Sequence, residues 1–474
     1  MKKIFFLAII LGSIILTMSN CKKQAGKQGE ASGLAPDTSF TGAENEVVLM
    51  TLDPGHFHAS LVQKYRVPQV APESYVYAPE GPDVQRHLDR LENFNTRDEN
   101  PTNWDASVYT GDDYLEKMVE ERPGNVVVIS GNNAKKTKYI KTCVDNGLNV
   151  LADKPMVISP EKYPELEESF DIAEEKGLFV YDIMTERNAI TAILQKRLAH
   201  TPDVFGQMLE GTEDDPAFIQ SSVHHWFKYV AGEPIQRPPW FFDESQQGEA
   251  IVGVSTHLVD GIQWAAYPRQ VIEKDDVELL SASHWTTPLN LEQFQKITRL
   301  EEWPSYLEEE LEDGKLPVYS NGEMNYTLND MHARVRVEWD YQAPEGGGDT
   351  HYSIMRGSKC NLVIRQGEEQ DYQPELYVEL TGDVDPSSYE KTLQEAVVND
   401  SDYEGLGITK TGEDTWRVDI PGRHREGHEA HFRSVMEQYL EYLQQGEIPE
   451  WETSYMRVKY YLTTRALEMA RRSE

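Results

Sequence analysis

The first half of the chain alternates short apolar runs with segments whose apolar residues recur at helical spacing. Continuous apolar runs are typical of strands that are buried on both faces of a parallel sheet. One such run, Val47–Leu52, is followed by a turn and then by helical spacing at Leu61, Val62 and Tyr65. The pattern continues with predicted strands over 75–78, 125–130 and 149–152, and a predicted helix over 135–146. It indicates a parallel α/β domain over residues 46–186.

The second half of the chain has a different period. Residues 334–341 alternate between apolar and charged side chains, and Cys360–Arg365 and Leu376–Leu380 look similar. This alternation is typical of an antiparallel sheet with one solvated face. We therefore predict an α+β domain over residues 187–474, built on a large, mostly antiparallel open sheet.

The N-terminus predicts export. Lys2 and Lys3 precede an apolar segment, Ile4–Thr17, that is short for a membrane span. Cys21 follows where a lipoprotein signal would be cleaved. We expect a signal peptide over residues 1–20, a lipidated Cys21 and a flexible tether over residues 21–45, which places the protein in the periplasm or on the outer membrane. Plain secretion and an uncleaved anchor are the alternatives.

Charge and cysteine content narrow the class of protein. Acidic residues outnumber basic ones by 81 to 45, for a formal charge of −36. This balance argues against nucleic-acid partners and against membrane contact other than through the lipid. Besides Cys21 there are only Cys143 and Cys360. The chain is therefore no disulfide scaffold, although one bridge between these two stays open.

The turn after the first predicted strand is a candidate cofactor loop. A strand, a glycine turn and a helix form the context in which a dinucleotide pyrophosphate binds at a helix N-terminus. Only Gly55 of the usual three glycines is present, with Asp53 and His58 at the outer positions. Glu80 lies where an acidic residue would bind an adenosine ribose, although a solvated turn carboxylate is equally compatible. The candidate cofactor-binding residues here and after the third predicted strand are Asp53, Gly55, His56, Phe57, His58, Glu80, Ser130 and Asn132.

The residues after the strand over 149–152 point to a family. Asp153-Lys154-Pro155 resembles the Glu-Lys-Pro signature of the Gfo/Idh/MocA oxidoreductases. The resemblance implies a Rossmann domain that binds NAD or NADP through these three residues, and a C-terminal sheet that covers the nicotinamide. It also implies that Lys154 hydrogen-bonds the reacting sugar hydroxyl and lowers its pKa, while Pro155 fixes the turn.

A second motif lies between Gly248 and Asp260. His257 and Asp260 resemble the family's Asp-x-x-x-His-x-x-Asp helix, in which the histidine exchanges a proton with the substrate hydroxyl. A pKa near neutrality suits histidine to this task. On a helix, Gly253, His257 and Asp260 would share one face. Asp260 would then orient the ring or bind substrate, or it is a helix-surface acid.

Gly253 departs from the family pattern, because it stands where the first aspartate is expected. Three interpretations stay open. His224, His225 or Asp243 replaces the missing carboxylate, the chemistry differs from that of a simple dehydrogenase, or the protein binds sugar without turnover.

Aromatic residues suggest a sugar site. His224, His225 and Trp226 end a predicted strand, and Trp240 lies in a proline-rich aromatic loop over 237–243. Aromatic rings suit the apolar faces of sugars, although core packing is a common use of such clusters. We take these four residues, with Asp260, as candidate substrate-binding residues.

One further histidine cluster is a candidate metal site. His424, His428 and His431 lie near the start of a predicted helix, and two of them could chelate a transition metal. His428 lies one turn before the buried stripe of that helix. We expect a packing or capping role for these residues, and no metal site.

Together these features predict an exported NAD(P)-dependent oxidoreductase that acts on a sugar, glycoside or polyol, with Lys154 and His257 as catalytic residues. The cofactor would be tightly bound, because an exported enzyme meets no free NAD pool. Net glycoside cleavage through transient oxidation and elimination is one alternative, and a non-catalytic carbohydrate-binding lipoprotein is another. Family analogy also suggests a homo-oligomer formed through the open sheet.

Overall fold

The computed structural model describes residues 40–473 except 231–232 and 382–383. The predicted signal peptide, Cys21 and most of the predicted tether lie outside the described residues. Within these described segments, none of the helices combines the length and the apolar character that crossing a bilayer requires.

The first half of the chain forms a six-stranded sheet in which every neighbouring pair is parallel, in the order β3-β2-β1-β4-β5-β6. Every residue of β1, β4 and β5 is buried, as their continuous apolar runs predict. The order is that of a Rossmann fold, and it reverses between β1 and β4, where such sheets leave a crevice for ligands. The strands are β1 Leu49–Leu52, β2 Glu73–Ala78, β3 Asp105–Thr110, β4 Val126–Ile129, β5 Asn149–Asp153 and β6 Val180–Ile183.

The helices that follow these strands are unequal in length. The first of them has only four residues, so the helix predicted after Gly55 ends within about one turn. Its short length leaves little of the helix N-terminus that usually binds a pyrophosphate. The helices of this half are α1 His58–Leu61, α2 Pro82–Thr96, α3 Tyr114–Glu121, α4 Asn133–Asp145 and α5 Tyr163–Lys176.

The second half forms a nine-stranded sheet in the order β10-β11-β12-β7-β13-β14-β15-β17-β16. Only the β12–β7 pair is parallel, so the prediction of a large, mostly antiparallel sheet is confirmed. Two further strands, β8 and β9, form a separate small hairpin. The strands are β7 Phe218–Phe227, β8 Tyr229–Val230, β9 Glu233–Pro234, β10 Val277–Asn290, β11 Lys315–Leu328, β12 Met331–Gln342, β13 Thr350–Arg356, β14 Cys360–Gln366, β15 Glu375–Leu380, β16 Gly407–Lys410 and β17 Thr415–Asp419.

Helices from the second half complete both cores. The apolar stripe of α13 packs into the core of the first sheet, and α14 contributes to both cores, with Tyr460 in the first and Tyr455 in the second. The helices are α6 Ile190–Ala199, α7 Pro202–Phe205, α8 Glu244–Gln247, α9 Ser255–Ala266, α10 Leu291–Thr298, α11 Ser305–Glu308, α12 Pro386–Val398, α13 His428–Gln445 and α14 Glu450–Arg472.

A buried ion-pair network joins the first sheet to α9 and α14. Lys459, whose side chain is fully buried, pairs with Asp182 at 2.7 Å and with Asp260 at 2.8 Å. Arg187 donates two hydrogen bonds to Asp260, at 2.6 and 2.7 Å, and its third nitrogen lies 2.7 Å from Glu452. Because these charges are largely removed from water, the network holds the three elements in one arrangement.

The two described cysteines are both free and buried. Cys143 lies in the core of the first sheet and Cys360 in the core of the second. Burial raises the pKa of both thiols, that of Cys360 to about 12. Both sulfurs therefore stay protonated and unreactive at neutral pH.

Candidate functional site

A cavity of about 670 Å³ lies between the carboxyl edge of the first sheet and one face of the second. The first sheet contributes the residues that follow β1, β4, β5 and β6, and the second contributes side chains of β7, β11 and β12. The predicted site residues that line it are His56, Phe57, His58, Asp153, Lys154, Pro155, His224, Trp226, Trp240 and His257.

Lys154 is placed by the end of β5. It directly follows the last residue of that strand, and its peptide bond to Pro155 is cis. Its ammonium group makes no hydrogen bond or ion pair with any residue of the described segments. Burial lowers the pKa of Lys154, and the charges of Asp153 and Glu186 oppose this shift. A cavity-lining cation without a protein partner is suited to bind a substrate oxygen.

His257 lies in the first turn of α9 and lines the same cavity. Its Nδ1 atom is buried and has no hydrogen-bond partner among the residues that the structure describes. Burial and the nearby charge of Lys154 lower the pKa of His257 to about 3. The imidazole is therefore neutral at physiological pH, the form that can accept a proton.

The structure corrects the predicted position of Asp260. Its side chain is buried and bound to Arg187 and Lys459, and it does not line the cavity. Burial alone would raise the pKa of Asp260, but these two cations hold it below its usual value. Asp260 is therefore neither a helix-surface acid nor in reach of substrate, and it fixes the helix on which His257 lies.

Gly253 also differs from its predicted position. It lies in a turn before α9, because the helix begins at Ser255, yet it lines the cavity with His257. A Cβ atom built on Gly253 would meet its nearest neighbour, the carbonyl oxygen of Glu249, at 3.4 Å. The site therefore has room for a Cβ atom at this position.

Of the three residues predicted to replace the missing carboxylate, only His224 reaches the cavity. Asp243 caps α8, where it accepts a hydrogen bond from the backbone of Ser245 at 2.8 Å. His225 is buried beside Asp349, with its Nδ1 3.1 Å from that carboxylate.

Sequence reasoning missed several carboxylates in the cavity, among them Glu186 and Asp349. The charge of Glu186 acts on the pKa of both Lys154 and His257, so it lies close to both. Asp349 pairs with His224, His225 and Lys228. Neither residue lies in one of the two family motifs, so no local signal indicated them.

Aromatic rings form one wall of the cavity. Trp226 and Trp240 line it, and Trp339 contributes a ring that lies 5.0 Å from the ring of His224. Trp226 is almost fully buried, so it serves mainly as packing for the adjacent core. Trp240 donates a hydrogen bond to Asp83 at 3.0 Å and packs over Gly55, where an added Cβ would stand 2.9 Å from the indole.

The loop after β1 is held by protein contacts at several predicted cofactor positions. Asp53 accepts hydrogen bonds from Lys135 at 2.8 Å and from Tyr139 at 2.7 Å. Asp53 has a positive φ of 47°, a conformation in which the family's glycine is more usual. Gly131 touches this loop directly, since an added Cβ would lie 2.1 Å from the carbonyl oxygen of Asp53.

The remaining predicted cofactor residues lie outside the cavity lining. Glu80 is exposed, and the nearby Asp83 is the carboxylate that contacts Trp240. Ser130 donates a hydrogen bond to Asp153 at 2.9 Å. Asn132 caps α4 and donates a hydrogen bond to Gln246 at 2.8 Å. Their roles toward a cofactor stay predictions.

His56 and His58 converge on Asp153. The Nδ1 atoms of the two rings lie 3.4 and 3.1 Å from the same carboxylate oxygen. Burial lowers the pKa of His56 to about 4 and that of His58 well below its ordinary value, so both rings are neutral at physiological pH.

The three histidines near α13 are separated by the structure. The ring of His424 binds the carbonyl oxygen of Glu404 on the surface, whereas His428 and His431 line the cavity. His428 lies 3.5 Å from Glu186. The expected packing role describes the buried His431, while His428 belongs to the cavity wall.

Comparison with known proteins agrees with this architecture. Residues 194–471 match the family described as "Putative oxidoreductase C terminal domain". Residues 84–182 match "Oxidoreductase family, NAD-binding Rossmann fold", the Gfo/Idh/MocA family. No match was found among curated proteins.

Solved structures extend the comparison. A crystal structure described as a "putative oxidoreductase" from Parabacteroides merdae ATCC 43184 is 51% identical, covers 92% of this chain and 100% of its own, and has a TM-score of 0.90. The 3-ketoreductase KijD10 from Actinomadura kijaniata, in complex with NADP and TDP-benzene, is 12% identical with a TM-score of 0.54, over 90% of this chain and 98% of its own. Levoglucosan dehydrogenase in complex with NADH and L-sorbose is 13% identical with a TM-score of 0.58, over 90% and 97%. The last two share the fold.

One conclusion follows from the fold, from the family matches in both halves of the chain and from the solved structure that is 51% identical. The predicted family and its NAD(P) cofactor class are confirmed. The chain belongs to the Gfo/Idh/MocA oxidoreductases, with an NAD-binding Rossmann domain followed by the C-terminal domain of this family.

Proposed function

We propose that this protein is an exported NAD(P)-dependent oxidoreductase that acts on a hydroxyl or keto group of a sugar, glycoside or polyol. The observation that supports this proposal is that Lys154 and His257 line the same cavity. Lys154 is a cation without a partner among the described residues, and His257 is neutral. Aromatic rings on the cavity wall suit a sugar. One structure of the same fold, levoglucosan dehydrogenase, is in complex with NADH and the sugar L-sorbose.

The residues present fit the nicotinamide half of NAD(P) better than its adenosine half. At the nicotinamide end, Gly131, Lys154 and Pro155 line the cavity, and the buried Nδ1 of His257 has no hydrogen-bond partner among the described residues. These residues would hold the nicotinamide. At the other end, Trp240 covers Gly55 and binds Asp83. Our proposal therefore includes a movement of Trp240 when the adenosine half of the cofactor binds.

The chemistry of the chain's own residues follows from their charge states. Bound NAD(P) would accept or supply hydride. The Lys154 ammonium would hydrogen-bond the substrate oxygen and stabilise negative charge there. The neutral His257 would accept the hydroxyl proton during oxidation, or return it during reduction. Glu186 would offset the positive charge that develops as His257 takes up the proton.

The location of the protein is part of the proposal. It rests on the basic and apolar N-terminal pattern and on Cys21. An exported enzyme would keep its cofactor tightly bound. Homo-oligomerisation through the nine-stranded sheet is proposed by analogy with the family.

The proposal is tested by acid-quenching the purified protein and assaying the released nicotinamide, followed by titration with NAD and NADP. We expect bound cofactor or micromolar binding, and NADH or NADPH formation with at least one member of a panel of sugars and polyols. Release of an aryl aglycone without net NADH would instead support oxidation-assisted cleavage. Absence of bound nucleotide together with absence of binding would contradict the enzyme proposal.

Gly253 favours a second candidate, a protein that binds carbohydrate without turnover. The test is Gly253→Asp, whose Cβ would make only ordinary van der Waals contacts. We expect this variant to increase hydride transfer by about tenfold or more, because a carboxylate is added beside Lys154 and His257. The measurement is kcat, with Gly253→Asn as the isosteric neutral control.

An equal effect of Asp and Asn at this position would show that charge is not the missing property. Unchanged activity in a folded Gly253→Asp variant would mean that Glu186 already supplies the carboxylate. In that case Glu186→Gln should lower kcat in the wild-type background.

A further inference from the structure

Three cavity-lining side chains lie close together, and the oxidoreductase proposal assigns no role to this arrangement. His56 and His58 come from the loop after β1, and Asp153 ends β5. The two Nδ1 atoms and the carboxylate oxygen all lie within 4.8 Å of one another. All three residues line the cavity, so the space beside them is open to a ligand.

Asp153 Oδ2 has two histidine Nδ1 atoms beside it, that of His58 at 3.1 Å and that of His56 at 3.4 Å. The shorter separation lies within the range of an N–H···O hydrogen bond, and the longer one lies beyond it. Around a tetrahedral zinc ion, with Zn–N of about 2.0–2.1 Å and Zn–O of about 2.0–2.2 Å, neighbouring ligand atoms are about 3.3 Å apart. The two histidine–carboxylate separations are therefore compatible with neighbouring ligand positions around such an ion.

The composition of the group also fits a metal. Two imidazoles and one carboxylate form a ligand set found in catalytic zinc sites and in other first-row transition-metal sites. We propose that His56, His58 and Asp153 bind one divalent transition-metal ion, with an open coordination position that faces the cavity. That position would accept an oxygen of the bound substrate beside Lys154.

Neighbouring groups would hold these ligands in place. Ser130 donates a hydrogen bond to Asp153 Oδ2 at 2.9 Å, and the buried Lys136 donates to the main-chain oxygens of Asp153 at 2.8 Å and Lys154 at 3.1 Å. Such outer contacts orient metal ligands. The charges of Lys136 and Lys154 oppose a bound dication, so removing the charge of Lys154 should strengthen metal binding.

The site would also explain a departure of the sequence from the dinucleotide pattern. His58 stands at the position of the last glycine of that pattern, where a side chain is unusual. A histidine at this position is accounted for when its ring binds a metal ion.

The test uses the tag-free full-length protein. Metal content as purified is measured by mass spectrometry, and the chelator-treated protein is titrated with Zn²⁺ by calorimetry and with Co²⁺ by visible absorption. We expect one ion per chain. His58→Ala, and His56→Ala in the more accessible position, should each weaken binding by at least about tenfold. His424→Ala, which removes a surface histidine, is the matched control and should bind like the wild type.

Failure of the metal proposal and failure of the oxidoreductase proposal are distinguishable, because nicotinamide content is assayed on the same samples. Lys154→Met should keep or strengthen Zn²⁺ binding. Absence of Zn²⁺ and Co²⁺ binding would overturn the metal site whatever the nucleotide result. Binding that persists in folded His56→Ala and His58→Ala, or that is lost in His424→Ala, would overturn it as well.

Discussion

Replacement of Lys154 by Met should lower kcat by about 10²- to 10³-fold, the usual effect of removing one donor that stabilises a reacting oxygen. Lys154 lines the cavity, and its ammonium has no partner in the described part of the chain, so no described residue competes with substrate for it. Methionine keeps the apolar stem and removes the charge. The measurement is steady-state kcat with the best sugar or polyol, together with the affinity for NAD(P).

The matched control is Lys138→Met. Lys138 lies on the exposed face of α4, outside the cavity. We expect its kcat to stay within about twofold of the wild type, as for a surface substitution away from the site. If Lys154→Met kept more than about a tenth of the activity while cofactor binding was unchanged, Lys154 would not be the group that stabilises the reacting oxygen.

Replacement of Lys459 by Met should lower the free energy of unfolding by about 3–5 kcal/mol, because removing one partner of a buried ion pair leaves uncompensated charge. Lys459 is fully buried and separates two carboxylates, Asp182 and Asp260. Without it, these two buried carboxylates face each other. Urea denaturation, followed by tryptophan fluorescence, measures the change.

Two comparisons make this prediction specific. Lys141→Met breaks a more accessible pair with Asp145 on the surface of α4 and should cost less than about 1 kcal/mol. The double variant Lys459→Met/Asp182→Asn should recover part of the loss, because it removes the carboxylate that loses its cation and leaves the Arg187–Asp260 pair intact. A loss below about 1 kcal/mol for Lys459→Met would contradict the structural role assigned to the network.

The pH dependence of stability should follow the same network. Burial raises the pKa of Asp260, but Arg187 and Lys459 outweigh burial and hold the folded-state pKa below the unfolded value. The stabilisation is therefore fully present above the ordinary carboxyl pKa and is lost as the pH falls through the folded-state pKa.

Much of the fold could be predicted from local pattern. The strands over 125–130 and 149–152 correspond to β4 and β5, and the alternating residues 334–341 lie in β12. These patterns are reliable because burial on one or both faces of a sheet dictates side-chain polarity directly. The helical spacing predicted a helix that continues to Tyr65, but α1 ends at Leu61. Where this helix ends depends on contacts of the loop and not on helical spacing.

The candidate site was predictable only where a motif stood at the end of an element. Lys154 and His257 line one cavity, because each lies beside the end of a strand or the start of a helix, and their catalytic roles stay predictions. Asp260 was misplaced, since its spacing of three residues from His257 does not reveal the partners Arg187 and Lys459, which come from distant segments.

By itself, the sequence determined the α/β and antiparallel halves, the two motif residues and the absence of a side chain at Gly253. Only the tertiary structure decided what surrounds them. It placed Glu186 and Asp349 in the cavity, Trp240 over Gly55, and His56 and His58 against Asp153. The physical reason is that polarity patterns record whether a residue is buried, whereas charge pairing and ligand geometry depend on which distant segments the fold brings together.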